Sequence, residues 1–105
     1  MIVVLTTTPN IEEAESLAQK IIEAKLAACV QILPQMKSFY FWEGEIQKDT
    51  EHLLLIKTLT ETFAELEKFI KENHSYDIPE IVALSAERLS ESYLDWTRNY
   101  VKNER

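Results

Sequence analysis

His74, Tyr76 and Glu80 fall within one short stretch, and theirs is the spacing in this chain that most suggests chemistry. An imidazole beside a carboxylate suits a borderline divalent ion, so His74 and Glu80 are candidate metal ligands. Two ligands fall short of the three or four a tight site needs. The plainer reading of His74 is a hydrogen-bonded anchor for its loop. His52 follows Glu51 in a strand-like stretch and reads as a solvated position. Cys29, the only cysteine, sits between Ala28 and Val30 and reads as a small buried hydrophobe. Lys57 interrupts an apolar run, so its amine should reach a carboxylate or a pocket edge, with Glu51 and Glu80 as candidate partners. Tyr40, Trp42, Tyr76 and Trp96 form an aromatic set that either lines a cavity between subunits or packs at a subunit contact.

Several chemistries find no support. There is no Ser-His-Asp order and no CxxC, and Gly44 is the only glycine, so phosphate-cradling loops have no material. An enzyme or an organic cofactor is not expected. Glu43 and Glu45 share one strand face and read as solubilising charge. A formal net charge of −7 disfavours nucleic acid, which needs a basic patch. One cysteine rules out an intrachain disulfide and fits a reducing compartment. The N-terminal Met1-Ile2-Val3-Val4-Leu5 lacks the basic region and apolar length of a signal peptide. No apolar run approaches a membrane span. A soluble cytoplasmic protein is therefore expected.

The elements that must hold these groups follow from the pattern. Ile2 to Leu5 suits a strand buried on both faces, ended by Pro9 and Asn10. Asn10 and Glu13 read as a capping box before a helix whose apolar face is Ala14, Leu17, Ala18, Ile21 and Ile22. Leu26 to Leu33 reads as a second strand, interrupted at Pro34. Thr62 with Glu65, or equally Thr58 with Glu61, opens a second helix with Phe63, Leu66, Phe69 and Ile70 on its apolar face. His74 to Asp77 is a loop, Ile81 to Leu84 a last core strand, and a final helix starts near Ser90. Apolar content of 46% over 105 residues gives one domain, 1–105, with a real core.

Between the second strand and the second helix lies a long arm. Alternation puts Ser38, Tyr40, Trp42, Gly44 and Ile46 on one face and Phe39, Phe41, Glu43 and Glu45 on the other. Gln47-Lys48-Asp49-Thr50 breaks the pattern before Leu53 to Lys57 resumes it, which reads as a β-hairpin turning at that polar cluster. Its first strand would reach roughly 30 Å. An apolar arm of that length invites aggregation unless another chain covers it. The order β-α-β-β-α-β plus a helix defines an α+β, ferredoxin-like fold in which two helices cover one face of the sheet. The other face is left largely bare, so self-association with closed symmetry is expected.

Strings along the chain match a known family. They are Thr7-Thr8-Pro9, Leu26-Ala27-Ala28-Cys29, Ser38-x-Tyr40-x-Trp42-x-Gly44-x-Ile46, Leu55-Ile56-Lys57-Thr58, His74-x-Tyr76-x-x-Pro79-Glu80 and Tyr93-x-x-Trp96. In order and spacing they resemble the CutA family of divalent-cation tolerance proteins over nearly the whole chain. The resemblance implies a ferredoxin-like homotrimer, similar in architecture to PII signalling proteins, with each hairpin reaching over a neighbour. It also implies a non-enzymatic binding or regulatory role in tolerance of copper, with Cu(II) or another divalent cation as ligand. The alternative is a PII-like sensor holding an organic anion in the intersubunit cavity beside Lys57. That cavity would be lined by Tyr40, Trp42, Lys57, His74, Tyr76, Glu80 and Trp96. The family's copper-associated cysteine position falls on Thr6 and its histidine on Asn73, next to His74. Glu80 matches the glutamate, and Ser75 replaces a common proline.

Overall fold

The computed structural model describes residues 1–101. Strand β1 (Ile2–Thr8) is flanked by β4 (Glu45–Thr58) and β5 (Val82–Ser85), and β2 (Cys29–Ile32) closes the other edge, giving the antiparallel order β2-β4-β1-β5. That is the ferredoxin-like order expected from the sequence. Helices α1 (Ile11–Glu23) and α2 (Phe63–Glu72) cover one face, and α3 (Glu91–Val101) follows β5. Among the described residues no helix is long and apolar enough to cross a membrane.

Alternation builds the core. Ile2 and Val4 of β1 and Leu54 and Ile56 of β4 point at the helix pair and meet Ala14, Leu17, Ile21, Leu66 and Ile70. Helix α1 begins as its residues require: the Asn10 side chain accepts the Glu13 N–H at 2.8 Å. The second helix does not use either candidate capping box. A 3-10 turn, Thr60–Thr62, leads into it, Thr62 makes no side-chain cap bond, and the Thr58 hydroxyl donates to Leu26 O at 2.7 Å. Helix α3 starts as expected, with Ser90 Oγ accepting the Tyr93 N–H at 3.2 Å.

The hairpin turns at a different place from the one the polar cluster suggests. Strand β3 (Met36–Trp42) pairs with the outer half of β4, Trp42 opposite Glu45 and Met36 opposite Glu51. The turn is Glu43-Gly44, with φ of 51° and 80°. Two consecutive residues at positive φ make the tight loop whose twist matches paired strands, and glycine accepts that conformation without strain. Gln47 to Thr50 therefore lies inside β4, whose 14 residues span the long dimension of a 45 × 26 × 23 Å molecule. The long strand is the returning one. Its inner half belongs to the core sheet and its outer half to the arm.

The sheet face opposite α1 and α2 carries Val3, Leu5, Leu53, Leu55, Lys57, Val82 and Leu84. Helix α3 covers only one end of it, where Tyr93 lies over Lys57, while the Tyr100 hydroxyl donates to Ile22 O at the end of α1. Val82 and Leu84 remain 46% and 52% exposed. On the arm, Phe39, Phe41 and Ile46 are exposed as well.

Candidate functional site

A groove of about 770 Å³ lies between the arm and the loop before β5. The arm contributes Ser38, Phe39, Tyr40 and Trp42, the loop Ser75, Tyr76, Asp77, Ile78 and Glu80, and Thr7 with Glu51 the floor. Strand period two brings Ser38, Tyr40 and Trp42 to one face, opposite Asp49, Gln47 and Glu45 in the register with β4.

The loop is pinned through His74, whose side chain is fully buried. Nε2 lies 2.7 Å from Thr7 O and Nδ1 lies 3.0 Å from the Tyr76 N. A carbonyl can only accept and an amide N–H can only donate, so the ring is the neutral tautomer with its proton on Nε2. Glu13 reinforces the anchor. Its Oε2 accepts from the Ser75 N–H at 3.1 Å and the Ser75 hydroxyl at 3.0 Å, and stands 3.5 Å from Nδ1. Glu13 thus does more than open a helix: its carboxylate ties α1 to a loop 62 residues away.

Two phenols face carboxylates. The Tyr76 hydroxyl donates to Glu51 Oε2 at 2.8 Å, and Glu51 is 8% exposed. Burial, and then the Glu51 carboxylate, push the Tyr76 phenol well above its ordinary range. The Tyr40 hydroxyl donates to Asp49, and that bond raises its pKa too. The Trp42 indole N–H donates to Glu43 at 2.9 Å.

Tyr40, Trp42, Tyr76 and Glu80, read from the sequence as cavity or ligand residues, do come together. Lys57 and Trp96 do not join them. Lys57 pairs with Cys29 across β2 and β4, its amine 5.9 Å from the Tyr93 ring, and Trp96 stacks on Tyr93 at 5.6 Å. The reason is distance along one strand: Lys57 shares a face with Glu51 but lies six residues on, roughly 20 Å away. Cys29 is half-buried rather than buried and lies beside the Tyr93 phenol, whose pKa is raised by burial first and then by the neighbouring thiol. His52 is likewise part-buried, with Nδ1 3.1 Å from Leu33 O.

The described residues of the chain do not fit a closed copper site. Both His74 ring nitrogens are committed to backbone groups. Thr6 is fully buried in the core, and Asn73 donates to Phe69 O at 2.9 Å to finish α2. Among the described residues no three His, Cys, Asp or Glu side chains converge. Glu80 is exposed at the groove, alongside Asp77. Sequence reasoning missed Glu13, Asp49 and Asp77. Register would have found Asp49 opposite Ser38 had the turn been placed at Gly44, whereas the Glu13 contact leaves no local signal.

Fold and groove together define a small α+β domain with a projecting hairpin. Residues 2–100 match the family model for the CutA1 divalent ion tolerance protein, and the chain belongs to this CutA family. The divalent-cation tolerance protein CutA of Thermus thermophilus is 47% identical over 96 residues, covering 91% of this chain and 93% of its own. The chloroplastic CutA of Arabidopsis thaliana is 45% identical over 102 residues, 97% of this chain and 56% of that protein. The chain thus spans about half the length of the plant relatives it matches. The structure of the periplasmic divalent cation tolerance protein CutA from Archaeoglobus fulgidus superposes with a TM-score of 0.93 at 43% identity, covering 96% of this chain and 99% of that one.

Proposed function

We propose that this chain is a homotrimeric, non-enzymatic binding or regulatory protein in the tolerance of divalent cations, copper among them, and that the groove is its binding site. The observation that carries the reading is the groove's charge: Glu51, Asp77 and Glu80 line it and, among the described residues, no basic side chain does. Such a lining favours cations. Since no three such ligands converge among the described residues, a metal bound at Glu80 and Asp77 draws its remaining ligands from a neighbouring subunit. The names of the Thermus and Archaeoglobus relatives support the divalent-cation role.

Assembly is supported by the bare sheet face and by the arm, whose Phe39 and Phe41 are 67% and 72% exposed. A non-enzymatic role is supported by the committed ring of His74, which leaves the groove no imidazole base. A reducing, cytoplasmic setting is supported by the single half-buried thiol of Cys29, although relatives carry chloroplastic and periplasmic designations. The PII-like alternative, an organic anion held beside Lys57, has weaker support, because Lys57 is engaged with Tyr93 away from the groove.

Titrating chelator-stripped protein with Cu(II), read by calorimetry and absorbance, tests the metal reading. A saturable change below high micromolar Cu(II) is expected, and Glu80→Gln should weaken it. No saturable signal removes copper from the proposal.

A further inference from the structure

The groove's hydrogen-bonding inventory is one-sided. Its strongest side-chain donors are already turned to partners: Tyr40 to Asp49, Tyr76 to Glu51, Trp42 to Glu43 and Ser75 to Glu13. What remains are the carboxylates of Asp77 and Glu80, the phenol oxygens, and the rings of Phe39, Tyr40, Trp42 and Tyr76, the last packed on His74 at 4.8 Å; the Ser38 and Thr7 hydroxyls accept as readily as they donate. Among these side chains an anion would find only the Ser38 and Thr7 hydroxyls as uncommitted donors. A divalent ion would use the carboxylates but gain nothing from the rings. A cation with an apolar shell uses both, because an aromatic face attracts an ammonium group through its quadrupole while a carboxylate supplies the opposite charge. Both phenols donate to carboxylates, and their pKa values are raised, that of Tyr40 by its bond to Asp49 first and that of Tyr76 by burial first, so the rings present neutral faces.

We infer that the groove binds an organic ammonium ion, its alkylated nitrogen against Tyr40, Trp42 and Tyr76 and its charge offset by Asp77 and Glu80. The inference rests on the groove being the chain's binding site and adds a class of cation to that reading. Trp42 is 51% exposed, which leaves its ring open to a ligand and makes it a reporter once Trp96 is replaced by Phe.

Full-length protein is titrated with tetramethylammonium, butylammonium and butyrate at matched ionic strength, followed by Trp42 fluorescence and by ligand-observed NMR. Both ammonium ions should bind saturably at about millimolar concentration, the range open to so few heavy atoms, and butyrate should not bind. Trp42→Leu should weaken the ammonium by about five- to thirty-fold, a larger factor than it costs Cu(II), which uses the carboxylates rather than the ring. Glu80→Gln should weaken both and keeps the test open if the Trp42 variant assembles poorly, which sedimentation would reveal. Butyrate binding as tightly as butylammonium overturns the inference, as does an ammonium ion that fails to bind protein that takes up Cu(II). Ammonium binding without Cu(II) binding upholds it and removes the metal reading. If neither cation binds, the groove is not the site and both readings fall.

Discussion

Replacing Tyr76 by Phe keeps the ring in the groove wall and takes one donor from Glu51. Glu51 as a residue is 8% exposed, so water substitutes poorly for the lost phenol. A hydrogen bond to a charged group contributes about 1.5–3 kcal/mol. Tyr76 is itself only half-buried, which places the expected loss at the lower end, about 1.5–2 kcal/mol. Urea unfolding at one fixed protein concentration measures it, since assembly makes the midpoint concentration-dependent. Glu51→Met completes a double-mutant cycle. Each single change should destabilise, and the double variant should recover much of the loss, because two apolar groups of similar shape leave nothing buried and unpaired. A Tyr76→Phe variant within about 0.5 kcal/mol of the parent would refute the reasoning, and so would a double variant that simply adds the two losses.

The same phenol sets a pH dependence. Its folded pKa is raised, by burial first and then by Glu51, above an ordinary value of 10.0. The folded chain keeps a proton that the unfolded chain loses, so this contribution is complete below pH about 10 and declines as pH rises further. Unfolding curves on either side of that pH should show the decline, and Tyr76→Phe should flatten it. Gly44→Val should destabilise by about 1–2 kcal/mol from strain alone, because φ is +80° and nothing lies within 4 Å of an added Cβ; faster amide exchange in the arm is the readout. Glu13→Ala removes the acceptor for the Ser75 N–H and hydroxyl as well as a first-turn acid. Exchange at residues 74–77 should accelerate while the Asn10 cap keeps the start of α1 protected.

Much of the fold was written in periodicities a reader can find. Asn10 before Ala14, Leu17 and Ile21 sets helix α1, and Ser90 sets α3, because those caps are local. The order of elements then fixes the sheet. Polarity misplaced the hairpin turn: Gln47 to Thr50 reads as a break, yet an arm strand in contact with water tolerates such residues, and backbone geometry favours Glu43-Gly44. Half of the site was legible. Tyr40, Trp42 and Tyr76 announce themselves by type and alternation. Lys57 and Trp96 share that chemistry without sharing the place, since a strand face continues along the sheet well past one groove. The anchoring of the loop by Glu13 and His74 joins residues 61 positions apart in the chain, and only tertiary structure can report it.

A crystal structure of the copper-soaked protein tests the account most directly. Three protomers should pack around an axis through their bare sheet faces, Val82 and Leu84 covered, with copper in the groove at Glu80 and Asp77 and completed by a neighbouring chain. Separate protomers, or copper bound away from that groove, would contradict it.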